Sequence, residues 1–155
     1  MLYLRILLAG VAGALAWWVG MQLFFGAAQA ILANPALQSA KLDAIYAMSP
    51  PPRIAVDPWL LPAGMFVTAL FQAAAFAFVR RGLPAGLIAR GLAFGAVAWA
   101  LFTPWFEFYL PWNLMLEPTL LVLLEMLCWA GIMLLVGVAI SLAFGRDKVA
   151  EAAPS

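Results

Sequence analysis

The sequence predicts an all-α protein, a transmembrane four-helix bundle with both termini cytoplasmic. Three observations support this fold class: an extreme apolar composition, four long apolar runs, and basic residues gathered on one side of those runs. Of the 155 residues, 67% are hydrophobic and 10% are charged, and the mean hydropathy is +1.03. A soluble domain is about half apolar and a quarter charged. A soluble core of this length would not hide so much apolar surface, so we expect the lipid bilayer to surround the chain.

The composition also excludes several classes of function. The chain has no histidine and a formal net charge of +1. It therefore lacks the imidazole used for haem ligation, for most catalytic zinc sites and for Ser-His-Asp triads, and the sequence predicts neither a metal nor a cofactor. Cys128 is the single cysteine, which excludes an intrachain disulfide. The sequence has no basic face to neutralise phosphates, so nucleic acid is not an expected partner.

Four apolar runs are expected to cross the membrane as one integral membrane domain. They cover about residues 2–33, 58–79, 87–110 and 118–144. The first run is too long for the apolar part of a cleaved signal peptide, so we interpret it as a retained membrane helix. Gly10 and Gly13 give it a strip of small residues suited to close helix packing. Gly91 and Gly95 form a GxxxG pattern in the third run, which predicts packing within the monomer in preference to dimerisation.

Local signals mark where these helices begin, bend and end. Asp57 and Pro58 suit the cap and the first turn of the second helix, and Gly145 suits the C-terminal cap of the fourth. Pro104 removes a backbone hydrogen bond from the third helix, which predicts a bend near its outer end.

Two outer segments connect these helices. Residues 35–48 are expected to form a short amphipathic helix on the membrane surface. The prolines at 50–52 are expected to form a stiff, extended connector after it. Residues 111–117 are expected to form a short hairpin between the third and fourth helices.

The distribution of basic residues predicts the orientation. Six basic residues fall on one side of the predicted bundle: Arg5, Arg80, Arg81, Arg90, Arg146 and Lys148. Lys41 and Arg53 fall on the other side. Cytoplasmic loops carry the excess of basic residues, so the first side is predicted to be cytoplasmic. Both termini then lie inside, which agrees with four crossings of a bacterial inner membrane.

Four polar residues inside the apolar runs form the candidate site. Glu107, Glu125, Gln22 and Thr103 all fall in the outer half of the predicted bundle, at ~1.5 Å of helix per residue, and we expect them to converge. An acid that faces hydrocarbon costs about 2.5–3.5 kcal/mol even on the lenient insertion scale. Glu125 is therefore expected to face protein, with Gln22 or Thr103 as its polar partner.

These acids have a functional and a structural interpretation. In the functional one they form a polar cavity for a proton, a cation, a lipid headgroup or a quinone. In the structural one Glu125 only joins helices by a hydrogen bond, and Glu107 only lies near the water interface. The second run adds Thr68 and Gln72 as its internal polar groups.

Aromatic and sulfur-containing residues also allow two interpretations. Five aromatic residues map to the outer boundary of the bundle: Tyr46, Trp59, Trp105, Tyr109 and Trp112. An aromatic belt at the membrane surface is the favoured interpretation, and a cleft that stacks a flat ligand is the alternative. Three sulfur-containing residues of the fourth run lack the clustered spacing of a copper site, so we interpret them as packing residues: Met126, Cys128 and Met133.

The second half of the chain carries a pattern of small residues and helix ends. It consists of Gly91 and Gly95, an aromatic helix end with proline, then Asn113, Glu125, Gly137 and Arg146. Over about residues 87–146 this pattern resembles small uncharacterised bacterial four-span membrane proteins. The resemblance implies an inner-membrane location, and it implies neither an activity nor any functional residue.

Three classes of function fit these observations. The favoured one is an accessory or structural subunit, or a scaffold, that packs against a larger membrane complex or forms a homo-oligomer. The second is a small transporter or channel component that uses Glu125 and Glu107. The third is a lipid-modifying membrane enzyme, for which the sequence shows no nucleophile and base pair. Co-purification of a stoichiometric large partner from mild detergent is expected for the first class alone.

Overall fold

The computed structural model describes residues 2–34, 36–37 and 47–145, and every regular element in those ranges is helical. Four helices are long and apolar enough to cross a membrane. We call them the first to fourth long helices, and they cover Leu2–Leu32, Leu60–Gly82, Leu87–Leu114 and Thr119–Phe144. The predicted all-α class, with four helices of membrane-spanning length, is thereby confirmed for the described residues.

Two of the long helices contain a π-helical segment that the sequence analysis does not predict. The first long helix is α-helical over Leu2–Gly20 and Gly26–Leu32, with a π segment at Met21–Phe25 between them. The third is α-helical over Leu87–Glu107 and π-helical over Phe108–Leu114. Such segments are rare and occur frequently at functional sites.

The hairpin expected over residues 111–117 is wrong, because the third long helix continues through Pro111. Proline has no N–H, and in α geometry its ring would press against the carbonyl of Glu107. The hydrogen bonding changes here instead, since the N–H of Met115 donates to the carbonyl of Leu110, five residues back, at 3.0 Å. Only a short turn then remains before the fourth long helix.

Pro104 lies inside the α-helical part of the third long helix. The N–H of Phe108 donates to the carbonyl of Pro104, so α-helical hydrogen bonding is present directly after the proline. The change to π geometry begins at Phe108, one turn later. The bend predicted near Pro104 therefore stays a prediction.

Helix ends follow the local chemistry of the chain. The Asp57 carboxylate accepts a hydrogen bond from the N–H of Trp59 at 3.0 Å, as a capping residue does. The α-helix itself begins at Leu60 and not at Pro58. Gly145 ends the fourth long helix with φ of 73°, a left-handed conformation that glycine adopts without strain.

The segment between the first two long helices is described only in part. The surface helix expected over residues 35–48 falls mostly outside the described residues. Four residues used in the sequence analysis also lie outside them: Lys41, Tyr46, Arg146 and Lys148. After the prolines at 50–52 the structure has a short α-helix, Arg53–Val56, which the sequence analysis does not predict.

Glycines bring the third and fourth long helices into backbone contact. A Cβ atom added to Gly91 would lie 2.5 Å from the Cα of Val138, and one added to Gly95 would lie 2.8 Å from the Cα of Leu134. Gly137 faces both glycines from the fourth helix. Only residues without a side chain allow two helix backbones to approach this closely.

Glycines of the first long helix face the second and fourth. A Cβ atom added to Gly10 would lie 3.1 Å from the Cα of Leu70, and one added to Gly13 would lie 3.1 Å from Cγ1 of Ile140. The helices therefore pack side by side in the order second, first, fourth, third. The first and the fourth occupy the inner positions of this arrangement, and the fourth contributes Ile132 and other members to the buried core.

The second and third long helices share no extended contact within the described residues. They touch where the ring of Phe76 packs edge-on against Phe94, with ring centroids 5.2 Å apart. Phe144 of the fourth helix also packs on Phe76, at 5.2 Å, and the guanidinium of Arg80 lies 5.3 Å from the centre of the Phe144 ring. Away from this aromatic cluster, a gap between the second and third helices leads into the candidate site.

Candidate functional site

A cavity of about 390 Å³ lies between the second and third long helices. It begins one helical turn from the Phe76–Phe94 contact, since Gln72 and Ala98 belong to its wall. Ten residues line it: Trp17, Thr68, Gln72, Ala98, Phe102, Thr103, Phe106, Glu107, Trp129 and Met133. Pockets that bind small molecules are usually of about 300–1,000 Å³, mostly apolar, with a few polar groups, and this cavity fits that description.

The polar lining groups come as two pairs, each spaced four residues apart. Thr68 and Gln72 belong to the second long helix, and Thr103 and Glu107 belong to the third. Residues four apart share one face of a helix, so each helix presents a single polar patch. Thr68 and Gln72 lie about as far from the Leu60 end of the second long helix as Glu107 and Thr103, respectively, lie from the Leu114 end of the third. The two patches therefore face the same space.

Among the described lining residues Glu107 is the one acid, and it is fully buried. Its side chain is 1% exposed, and Thr103 one turn away is 3% exposed. The third long helix continues for seven residues beyond Glu107, through the π segment Phe108–Leu114, so Glu107 lies farther from that helix end than the one turn expected. The expectation that Glu107 lies near the water interface stays a prediction.

Gln72 offers a second buried polar group. Its side-chain Nε2 donates to the sulfur of Met133 at 3.5 Å, and a thioether is a weak acceptor. Its carbonyl oxygen, Oε1, is buried and has no hydrogen-bond partner among the described residues. Buried polar atoms are normally satisfied, so a ligand that brings a positive charge or a hydrogen-bond donor near Gln72 would complement this side chain.

The rest of the wall is largely aromatic. Trp17 meets Trp129 edge-on with ring centroids 6.1 Å apart, and Phe25 packs behind Trp129 at 5.2 Å. On the opposite side Phe102 stacks on Phe106 at 5.5 Å. Phe102 is 62% exposed, and Thr68 is exposed as well. Because these two lining residues reach the outer surface of the bundle, the cavity is open between the second and third helices.

The four polar residues that were expected to converge do not all line the cavity. Thr103 and Glu107 line the cavity, whereas Gln22 and Glu125 do not. Gln22 lies in a π segment and is exposed, and Glu125 is partly exposed one turn beyond Trp129. Counting residues gives the depth of a side chain along a helix but does not give the direction in which it points. The polar partner expected for Glu125 stays a prediction.

Thr68 and Gln72 are site residues that the sequence analysis names only as internal polar groups. A signal for them was present in the sequence. Two apolar runs each carry one polar pair with a spacing of four, at matching depth, and that pattern predicts two facing patches. The long-range pairing of these two helices, however, is not visible in a single sequence.

The remaining candidates lie outside the cavity. Cys128 is buried, and its thiol donates to the carbonyl of Phe24 at 3.6 Å. Within the described residues, no three His, Cys, Asp or Glu side chains lie close enough to hold a metal ion. The described aromatic residues of the outer boundary are all exposed: Trp59, Trp105, Tyr109 and Trp112.

Comparison of the chain with protein families, with curated proteins and with solved structures finds no match.

Proposed function

We propose that this protein binds a hydrophobic organic cation in the cavity between its second and third long helices, as the binding component of a small transporter. The observation that carries the proposal is the position of Glu107. Glu107 is 1% exposed and belongs to the wall of a cavity of about 390 Å³ whose other walls are largely aromatic. An ionisable side chain inside an apolar helix is costly, and such residues mark substrate and ion pathways.

The charge of the site favours a cation. Of the ten lining residues that the structure describes, one is acidic and none is basic. A carboxylate attracts a cation within about 4–6 Å and repels an anion. Gln72, whose carbonyl oxygen has no hydrogen-bond partner among the described residues, belongs to the same wall. A phosphate or a carboxylate ligand would find no basic partner there.

The aromatic walls favour an organic cation over a metal ion. Trp17, Trp129 and Phe106 place rings on three different helices around the cavity. The face of an aromatic ring attracts a positive charge within about 6 Å, and tryptophan is the strongest of these rings. A hard metal ion requires several oxygen ligands. A quaternary or protonated amine is stabilised by aromatic rings and by a single carboxylate together.

The opening between the second and third helices favours a hydrophobic ligand. Thr68 and Phe102 line the cavity and are also exposed on the outer surface of the bundle. In a membrane this surface faces lipid, so a compound that partitions into the bilayer reaches the site directly. We therefore expect an amphipathic amine and not a water-soluble ion such as choline alone.

A matched pair of probes tests this function. Benzyltrimethylammonium carries the charge, and neopentylbenzene is its neutral isostere with carbon in place of nitrogen. We expect the cation to raise the unfolding temperature of the purified protein in a nonionic detergent, because a ligand that binds only the folded state stabilises it. The neutral isostere should produce no comparable increase. Equal effects of the two probes, or none from the cation, would contradict the proposed function.

An accessory subunit is the second candidate function. The second long helix packs mainly on the first, and its outer face carries Phe71 and Phe78, which are 73% and 87% exposed. That face is available to a partner helix as well as to lipid. A stoichiometric large partner that co-purifies in mild detergent would support this candidate.

We also propose that the protein resides in the bacterial inner membrane with both termini in the cytoplasm. The support is the basic asymmetry of the sequence. A fluorescent protein fused after Ser155 is expected to fluoresce in cells, and alkaline phosphatase fused at the same position is expected to be inactive. Active alkaline phosphatase at this position would overturn the predicted orientation.

A further inference from the structure

A second cavity lies directly beside the first. It has a volume of about 230 Å³, and it shares Trp17, Thr68 and Trp129 with the wall of the first cavity. Its other lining residues include Ile54 of the short helix Arg53–Val56 and Gly64 of the second long helix. Because the three shared side chains line both cavities, the two cavities adjoin each other along the second long helix.

From this arrangement we infer that the second cavity holds the alkyl chain of the same ligand. The ligand is then an elongated amphiphile, a long-chain amine or quaternary ammonium compound, with its charged head beside Glu107 and its chain directed toward Ile54. This inference rests on the proposed function, because it assigns the head of the ligand to the first cavity.

The chemistry of the second cavity fits a chain and not a second head. Among the described residues that line it, Thr68 is the one hydroxyl or amide side chain, and Thr68 also lines the first cavity. The other described lining residues are apolar or aromatic, and none of them carries a charge. Methylene groups gain free energy on leaving water for such surroundings, whereas a charged group would lose its hydration without gaining a partner.

The length of the second cavity also suits a chain. Along the second long helix its wall extends from Thr68 to Leu60, which corresponds to about 12 Å at 1.5 Å per residue. Met21, which lines it from the first long helix, belongs to the π segment there. Methionine is flexible and adapts to irregular apolar partners, as a site for alkyl chains requires.

Gly64 provides the variant that tests this inference. A Cβ atom added to Gly64 meets no heavy atom within 4 Å, so a larger side chain would extend into the second cavity without striking the backbone. Gly26 offers a matched control, since it also has open space around its added Cβ and lines neither of the two cavities. Both changes place leucine at a helical glycine, and only one of them fills the cavity.

The experiment compares two probes, benzyltrimethylammonium for the head site alone and octyltrimethylammonium for head and chain together. Affinities are measured by calorimetry on the full chain in one nonionic detergent, so that partition into micelles is common to all variants. We expect Gly64→Leu to lower the affinity for octyltrimethylammonium by about tenfold or more, because several methylene groups of the ligand lose their apolar surroundings. Benzyltrimethylammonium should bind within about twofold of the wild-type protein, and Gly26→Leu should change neither affinity.

Each outcome decides the inference. The inference is overturned if octyltrimethylammonium binds the Gly64→Leu variant as tightly as the wild type. It is also overturned if this variant loses affinity for both probes by the same factor, because the second cavity then holds no alkyl chain. The proposed function survives that result when benzyltrimethylammonium still binds the wild-type protein. If neither probe binds the wild type, the proposed function and the inference fail together. If the leucine variant misfolds, Gly64→Val places a smaller side chain in the second cavity. We expect it, too, to lower the affinity for octyltrimethylammonium more than the affinity for benzyltrimethylammonium.

Discussion

Replacing Glu107 with glutamine is expected to lower the affinity for benzyltrimethylammonium by at least about 30-fold while the protein stays folded. The amide keeps the size and much of the hydrogen bonding of the carboxyl, so only the charge is lost. Removing one member of a buried charge pair costs about 2 kcal/mol or more, and 1.4 kcal/mol corresponds to a factor of ten in affinity. Calorimetric titration of the wild type and the variant in the same detergent measures this ratio.

Glu125→Gln is the matched control for this experiment. It removes the same charge from another membrane-length helix, at a residue that the structure places outside the cavity. We expect it to bind benzyltrimethylammonium within about twofold of the wild type. Equal losses in the two variants would indicate a general effect of net charge and would argue against a site at Glu107. Undiminished binding by Glu107→Gln would contradict the role proposed for this carboxyl.

Gly95→Ala is expected to destabilise the protein by about 1–3 kcal/mol, the usual cost of forcing extra atoms into a packed interface. The added methyl group would overlap the carbonyl oxygen of Met133 and would lie 2.8 Å from the Cα of Leu134. Both are backbone atoms that no side-chain rotation can move aside. The third and fourth long helices would have to separate, and thermal unfolding of the purified protein in detergent would report the loss.

Gly64→Ala is the control that isolates this contact. The position is also in the interior of a long helix, and its added methyl group meets nothing within 4 Å. Alanine is the better helix former by about 1 kcal/mol, so this variant should be as stable as the wild type or more stable. A Gly95→Ala protein that unfolds at the wild-type temperature would show that the two helix backbones do not approach as closely as the structure indicates.

Separation of these helices should also weaken the site. Gly95 and Glu107 belong to the same α-helix, Leu87–Glu107, and the fourth long helix supplies Trp129 and Met133 to the opposite wall of the cavity. The glycine contact therefore sets the distance between the acid and an aromatic wall. Lower cation affinity in Gly95→Ala than in Gly64→Ala is expected for this reason.

The sequence by itself determined the number of long helices, their class and many of their ends. Apolar runs of membrane-spanning length identify helices, because the backbone must satisfy its own hydrogen bonds in lipid. Capping by Asp57 and the end of the fourth helix at Gly145 were also predictable, since both depend on residues within one turn. These properties depend on residues that are close together in the chain, so they can be predicted from a single sequence.

Only the tertiary structure decided which acid belongs to the site. Sequence depth favoured Glu125, whereas the folded chain buries Glu107 in the wall of a cavity and leaves Glu125 outside that wall. The glycine contact with the fourth long helix sets how the third is placed in the bundle. Which helices pack together, and which leave a gap, depends on contacts between residues far apart in the chain, and the spacing within one helix does not encode them.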